Sequence, residues 1–333
     1  MIGNVQCLSV WLAMLALCAM AAAQDAEDTF GCEANPTGGP IGGGEGYRDI
    51  ITTGDFTVTT AEELLEALKQ AQGRQVIFVP DGVEIDLTGH KSIGIPGGVT
   101  LAGTRGLDGS PGARIFTTWR TSHTLFLTAG DEVRLTGLSF EGACGTTEKV
   151  ADHSGFFSIR HYGGEVDNCE VYNFNTYGVG VSPSAINVRV HHNNIHHCQR
   201  SGYGYGVSTS SSDVHIIANK FDFCRHHIAS SGAPGCGYEA AWNFIGPNAT
   251  GHNFDMHGGR DRGDNTDIAG DWILIHHNTF QGTHSHVVIR GVSCQGAEIH
   301  HNWFAQPAAT VVKSSGNTRV YQNVYGAEKT LEE

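Results

Sequence analysis

A short pattern of apolar and polar positions recurs along the second half of the chain. It consists of an apolar residue, two polar residues, an Asn, one further residue and another apolar residue, as in Ile275–Phe280. Looser copies carry Cys or Leu in the Asn position. This position falls at Leu138, Cys169, Asn193, Asn219, Asn243, Asn278, Asn302 and Asn323. A repeat of about 24 residues with no helical pattern inside it is typical of a solenoid of short strands.

The composition of each repeat predicts how the coils stack. Short Val, Ile and Phe alternations are separated by Gly, Ser and Asn, which predicts strands joined by turns. Stacked coils pair each strand with its equivalent in the next coil, so the backbone hydrogen bonds are satisfied along the solenoid. Asn tolerates the left-handed conformation of a sharp turn, and its amide can bond to the next Asn in the stack. Paired histidines such as His276 and His277 are therefore interpreted as turn residues.

One segment near the start of the chain has a helical pattern instead. Thr60 is placed to cap a helix and Glu63 occupies the capping-box position, while Gly73 ends the pattern. An amphipathic helix at 60–72 would cover the open end of the solenoid core. We therefore expect an all-β domain over 57–333 with an N-terminal capping helix, preceded by a flexible, Gly-rich lead-in at 24–56.

The first residues have the pattern of a secretory signal peptide. An apolar run at Leu8–Met20 is followed by the small residues Ala21–Ala23, so we expect a signal peptide at 1–23 that is too short to span a membrane. The mature protein would be secreted or extracellular, or periplasmic in a Gram-negative source. Asn248 begins a glycosylation sequon, which has meaning only in a eukaryotic source.

Cysteines of an exported chain are candidates for disulfides. Cys198 and Cys224 each lie five residues after an Asn of the repeat, at Asn193 and Asn219. The two cysteines should therefore stack on adjacent coils, about 4.8 Å apart. This spacing predicts a Cys198–Cys224 disulfide.

The entry region resembles a known family. Thr59–Gly89 and Gly98–Gly106 resemble the start of right-handed parallel β-helix proteins of the pectate-lyase-like superfamily, and the repeats of Leu135–Tyr325 resemble their coils. The resemblance implies a right-handed parallel β-helix. Members include polysaccharide lyases, glycoside hydrolases, uronate epimerases and surface proteins without known chemistry. The calcium-and-arginine signature of the best known pectate lyases is not found, so no family residue is carried over.

Charge narrows the choice of partner. The 333 residues carry a formal net charge of -14, which argues against a nucleic-acid partner. The charge is compatible with neutral sugars, cationic ligands or calcium, whereas an anionic polysaccharide would need a local basic patch. We expect a polysaccharide-binding monomer without a membrane span.

Two repeats are longer than the others, and their additional residues are expected to form loops on the binding face. The second insertion, at 246–270, contains a short alternation in which Phe254 points inward and Asp255 outward. Placing Ile228, Phe254 and Val287 inward on three coils predicts outward columns beside Asp255. The predicted columns contain His227, Asn253 and His286 in one and His257 and Arg290 in the next.

The predicted groove has the groups that a uronate lyase needs. A lyase requires a cation for the sugar carboxylate, a base for the C5 proton and an acid for the leaving oxygen. Arg290 suits the first role, His227 or His286 the second, and Tyr205 or His257 the third. The candidate catalytic residues are His227, Asp255, His257, His286 and Arg290. The candidate substrate-binding residues are Tyr203, Tyr205, Arg225, Asn253 and Arg260, and Tyr177 and Trp242 are further aromatic candidates.

Two metal hypotheses stay open beside these roles. Asp255, Asp261 and Asp264 offer oxygen ligands for calcium, and two or three histidines with Asp255 would suit a transition metal. The favoured function is a secreted polysaccharide lyase that cleaves a uronic-acid-containing polymer by β-elimination. The alternatives are a non-catalytic β-helix protein that binds polysaccharide or metal, and a glycoside hydrolase or uronate epimerase.

Overall fold

Three long sheets of parallel strands wind around one core in the computed structural model, which describes residues 30–148, 150–282, 285–308 and 311–331. The signal peptide predicted at 1–23 lies outside these residues. Each coil contributes one strand to sheet A, one to sheet B and one to sheet C, in that order. Among the described residues, no helix has the length and apolar character needed to cross a membrane.

Sheet A contains eleven strands. They are β1 (Phe56–Thr57), β2 (Val76–Phe78), β5 (Thr100–Ala102), β8 (Arg134–Thr136), β11 (Glu165–Asp167), β14 (Val188–His191), β17 (Val214–Ile217), β20 (Gly237–Ala241), β23 (Trp272–His276), β26 (Gly296–His300) and β29 (Thr318–Tyr321). Sheet B also contains eleven strands, of which only the last runs antiparallel to its neighbour. They are β3 (Glu84–Asp86), β6 (Arg114–Phe116), β9 (Ser139–Glu141), β12 (Glu170–Tyr172), β15 (Asn194–His196), β18 (Lys220–Asp222), β21 (Phe244–Ile245), β24 (Thr279–Phe280), β27 (Trp303–Phe304), β30 (Val324–Tyr325) and β31 (Thr330–Leu331).

Sheet C contains nine strands and carries the candidate site. They are β4 (Ile93–Ile95), β7 (His123–Thr128), β10 (Ser154–Ile159), β13 (Tyr177–Val181), β16 (Tyr205–Thr209), β19 (His226–Ser230), β22 (Phe254–Met256), β25 (Val287–Ile289) and β28 (Val312–Lys313). The inward side chains of all three sheets form one continuous apolar core, as expected for a solenoid.

The turn between sheets A and B contains a ladder of buried Asn side chains. Asn219 is typical, because its Oδ1 accepts hydrogen bonds from the backbone N–H and the Nδ2 of Asn193 in the preceding coil. Its Nδ2 donates to the carbonyl of Val190 at 2.8 Å. The same pattern continues to Asn323. Each Asn therefore bonds two coils together, which confirms the stacking predicted from the repeat.

The left-handed residue of this turn is not the Asn, as the sequence had suggested, but the residue before it. His192 and His277 have φ of 54° and 52° there, so several different side chains occupy this strained position. The residues in question are Gly137, Asn168, His192, Ala218, Trp242, His277, His301 and Gln322. The Asn follows the left-handed residue because its amide must point into the core to reach the next coil.

The predicted capping helix is present as α1 (Ala61–Gln70). Thr60 accepts a hydrogen bond from the backbone N–H of Glu63, and the Glu63 carboxylate accepts one from the backbone N–H of Thr59. Leu64 and Leu68 are buried against the first coils, so the helix covers the core at this end. The other helices are short, namely the single turn α2 (Gly259–Arg262) and two 3₁₀ turns at Cys32–Ala34 and Leu107–Gly109.

Residues 30–55 lie against the coils, whereas a flexible lead-in was expected there. The Phe30 ring stacks on His301 with ring centroids 5.5 Å apart, and the backbone N–H of Gly42 donates to the carbonyl of Ala218 at 2.9 Å. Further along, the hydroxyl of Tyr47 donates to Asp167 at 2.8 Å. The segment thus follows the Asn turn from the late coils to the early ones.

The predicted Cys198–Cys224 disulfide is not formed in the structure, where both thiols are free and buried. The prediction of adjacent stacking holds, because the two residues follow the in-register strands β15 and β18. Each Sγ is directed at the backbone carbonyl two residues earlier, at 3.7 Å for Cys198 and 3.5 Å for Cys224. The two thiols nevertheless remain neighbours, since burial and then a side-chain hydrogen bond with Cys198 raise the pKa of Cys224.

We predict that Asn193→Ala lowers the free energy of unfolding by about 2–5 kcal/mol, because it leaves buried partners on Cys169 and Val166 without hydrogen bonds. Asn194→Ala is the matched control, since this neighbour faces outward and bonds only to the Glu170 side chain. Its expected loss is under about 1 kcal/mol. Denaturant unfolding measures both, and equal losses would contradict a special role for the ladder.

Candidate functional site

The outer face of sheet C brings polar residues from five successive coils together. Ile228, Phe254 and Val287 are in register and point inward, as predicted. Asp255 lies between Ala229 and Val288 in the adjacent outward column. The insertion at 246–270 supplies β22 and the loop after it, so the extra residues of this repeat are part of the site.

Asp255 is the centre of this cluster. Its carboxylate accepts two hydrogen bonds from the Arg290 guanidinium, at 2.9 Å from Nε and 2.7 Å from Nη2. The Nε2 atoms of His226 and His257 each lie 3.3 Å from Oδ2 of Asp255. Burial alone would raise the pKa of this carboxyl, but the His257 hydrogen bond and the charges of His226 and Arg290 lower it to about 2.

The loop after Asp255 is fastened by arginines. Arg290 also reaches Asp261 at 3.2 Å, and the Asp261 carboxylate accepts a hydrogen bond from the backbone N–H of Gly258 at the start of α2. Arg262, at the end of α2, donates to backbone carbonyls that include those of Ser231 and Ile268. These contacts fix the loop over sheet C, and the sequence pattern gave no sign of them.

A stack of three rings flanks Asp255 on one side. The Tyr205 and His226 rings are nearly parallel, with centroids 5.8 Å apart, and His252 stacks on the opposite face of His226 at 5.8 Å. His226 Nδ1 donates to the backbone carbonyl of His252. Burial lowers the pKa of His226 to about 4 although Asp255 opposes the shift. His226 and His252 were not among the predicted site residues.

The predicted column of His227, Asn253 and His286 faces the core and not the solvent, which corrects the sequence interpretation. The His227 ring lies 5.9 Å from that of Phe221, and the His286 ring 5.1 Å from that of Phe280. Burial lowers the pKa of His227 to about 3. These residues lie at or just before the start of their strands, where the chain bends from sheet B into sheet C and two successive residues point inward. Strict alternation from Ile228 therefore assigned them to the wrong face.

The predicted aromatic and substrate-binding residues lie partly at the cluster around Asp255 and partly away from it. Tyr205 lies in the ring stack, whereas Tyr203 is 41% exposed beside the Arg200 guanidinium, 4.9 Å from its ring centroid. Arg260 is exposed on α2. Trp242 stacks on His277 at the Asn turn, away from sheet C.

Positive charge gathers around His252. Burial lowers the pKa of this histidine, and Arg290, Lys313 and Arg225 lower it further, while Asp255 alone opposes them. Lys313 lies in the outward column of Asp255, because Val288 pairs with both residues. Neither His252 nor Lys313 was predicted. Extending the register of Val288 to the next coil would have placed Lys313 in this column.

The carboxylates proposed for calcium do not form a common ligand set. Asp255 and Asp261 bind Arg290, and Asp264 pairs with Arg262 at 2.8 Å. Within the described part of the chain, three ligand atoms within 4.8 Å of one another are found at Glu165, Asp167 and His191 of sheet A. There the Arg134 guanidinium already donates to Asp167 at 2.7 Å and 2.8 Å.

We predict that Asp255→Asn lowers the free energy of unfolding at pH 7 by about 2–3 kcal/mol. This value follows from the fall in the pKa of the buried carboxyl on folding, because each pKa unit corresponds to about 1.4 kcal/mol. Because the folded-state pKa lies below the unfolded one, this stabilisation exists above about pH 4 and is lost as the pH falls towards 2. Urea unfolding from pH 7 to pH 3 measures the difference. The exposed Asp267→Asn is the control, and a difference from wild type that stays constant with pH would contradict the assignment.

Comparisons with known proteins identify the architecture. No family model and no curated protein matches the sequence. The alginate lyase from Paenibacillus sp. str. FPU-7 aligns with a TM-score of 0.54 at 16% identity, over 82% of this chain and 99% of that structure. The Geobacillus virus E2 ORF18 protein aligns at 0.43 and 12% identity, over 98% of this chain and 62% of its own. The PL6 family alginate lyase AlyGC aligns at 0.34 and 14% identity, over 84% and 52%. The chain is a right-handed parallel β-helix with the pectate-lyase-like fold.

Proposed function

We propose that the protein is a polysaccharide lyase that cleaves a uronic-acid-containing polymer by β-elimination on the outer face of sheet C. The observation that carries this proposal is the buried Asp255 carboxylate, which holds the His257 imidazole and the Arg290 guanidinium on the outer face of sheet C. The likeness in fold to a structure described as an alginate lyase supports the same class of reaction.

Local charge supports an anionic substrate. The whole chain has a formal net charge of -14, yet the positive charges of Arg225, Arg290 and Lys313 all act on His252, where Asp255 alone opposes them. The sequence predicted that Arg290 binds the sugar carboxylate. We now assign Arg290 to holding Asp255, because two of its guanidinium N–H groups already donate to that carboxylate. We assign the sugar carboxylate to Arg225 and Lys313.

His257 is the residue we assign as the base. Its Nε2 faces the Asp255 carboxylate, so the neutral ring carries its proton on Nε2 and its lone pair on Nδ1. The side chain is 31% exposed, which leaves the ring accessible from the groove. A fixed carboxylate behind an imidazole sets the tautomer and stabilises the cation that forms when the ring accepts a proton.

Tyr205 is the residue we assign as the proton donor. Burial raises the pKa of its hydroxyl, so the group stays protonated at neutral pH and can donate. In the elimination, Nδ1 of His257 takes the C5 proton of the uronate. The electron pair of the C5–H bond becomes the C4–C5 double bond as the C4–O bond breaks, and the leaving oxygen takes the proton of Tyr205.

We predict that His257→Ala lowers the rate of elimination about 100-fold or more, because general-base catalysis is lost. The measurement is the ultraviolet absorbance of the unsaturated product on a panel of uronate polymers, including alginate. His196→Ala, on the outer face of sheet B, is the matched control and should leave the rate unchanged. A His257→Ala protein that keeps the full rate of elimination would contradict the assignment of His257 as the base. Binding to a polymer without any product from the wild type would favour the non-catalytic alternative.

A further inference from the structure

A tyrosine on sheet C lies along the sheet surface at a distance from Asp255. The hydroxyl of Tyr177 is 2.6 Å from Oγ1 of Thr124. Thr124 and Tyr177 are separated by Gly155, which pairs with both, so they lie two strands or about 9.6 Å apart. A strand side chain ordinarily stands perpendicular to the sheet. The Tyr177 ring therefore leans across the sheet to reach Thr124.

Two glycines leave the space that the ring occupies. A Cβ atom at Gly155 would collide with Cε2 and Cζ of Tyr177, and a Cβ at Gly180 would lie 2.8 Å from Cε2. One face of the ring thus packs on glycine backbone, while the side chain as a whole remains half-buried. Because the side chain is only half-buried, part of it is available to a ligand that lies on the sheet.

The floor between this ring and Asp255 is made of small side chains. Gly180, Ser208, Ala229 and Asp255 follow one another in register on β13, β16, β19 and β22. Three strand spacings of about 4.8 Å separate Gly180 from Asp255, or about 14 Å in all. Tyr205 and His226, which pair with each other, stand along one side of this floor. We call this row of small side chains the trough, and it runs from the ring to the candidate active site.

A guanidinium lies at the strand next to that of Tyr177. Ser158 is in register with Gly180 on the neighbouring strand, and the Arg160 Nε donates to its hydroxyl at 3.1 Å. Arg160 is exposed and, within the described residues, forms no ion pair with a carboxylate. An aromatic face next to such a cation offers apolar contact and charge to the same ligand.

We propose that Tyr177 and Arg160 form a distal subsite that binds one uronic acid unit of the polymer, about three strand spacings from the cleavage centre. The apolar face of the pyranose lies on the Tyr177 ring, and the sugar carboxylate pairs with the Arg160 guanidinium. This proposal rests on the proposed function, because the polymer is taken to run along the trough from the subsite to Asp255. It makes the enzyme prefer oligomers long enough to reach both places.

The test compares alginate oligosaccharides of two to six units as substrates and as ligands of the full-length protein. Tyr177→Ala and Arg160→Gln should raise KM about 10-fold for the hexamer and leave the values for the dimer unchanged. Gly180→Ala should have the same effect, because the new Cβ displaces the ring without removing it. Tyr162→Ala, which removes an exposed tyrosine outside sheet C, is the control.

Calorimetric binding of the hexamer, measured in a His257→Ala background, separates this proposal from the proposed function. Loss of hexamer affinity in the Tyr177→Ala protein supports the subsite, even where the parent protein cleaves nothing and the lyase proposal fails. Equal hexamer affinity and KM in the Tyr177→Ala and Tyr162→Ala proteins would overturn the subsite while the lyase proposal stands. Absence of binding to hexamers from every polymer of the uronate panel would overturn both.

Discussion

A ladder of buried Asn side chains joins the coils at the turn between sheets A and B. The side chain of Asn219 accepts hydrogen bonds from the preceding coil and donates one to a carbonyl of that coil. Its backbone N–H donates in turn to the Asn side chain of the following coil. Because these groups are buried, sliding one coil against another would leave several of them unsatisfied. The ladder therefore fixes the register of the whole solenoid. The outward columns of sheet C, which lie far from the Asn turn, inherit their alignment from it.

The candidate site shows what this alignment provides. Asp255, His257 and Arg290 lie on two neighbouring coils, and their contacts of 2.7–3.3 Å require that the coils keep one register. The carboxylate stays ionised because its partners outweigh the effect of burial. Around it, Arg225 and Lys313 add positive charge to an otherwise acidic protein. A rigid scaffold thus holds a charged cluster in a groove, which is the arrangement that electrostatic catalysis requires.

The repeat pattern was sufficient to predict the coils, the Asn ladder and the inward column of Ile228, Phe254 and Val287, because burial imposes a regular alternation on a strand. It also placed Asp255, His257 and Arg290 together on the outward side of sheet C. The pattern failed for His227, where the backbone bends between two sheets and alternation no longer applies. His226 was missed for the same reason. Contacts that depend on loop geometry, such as those of Arg262, have no counterpart in a local sequence pattern.

The central claim is that the outer face of sheet C around Asp255 binds the polymer. The most direct measurement is a crystal structure of the inactive His257→Ala protein with an alginate hexasaccharide. The account predicts sugar units along the trough of Gly180, Ser208 and Ala229, with one carboxylate at Arg225 and Lys313. Sugar density confined to sheet A or sheet B, with sheet C empty, would contradict it.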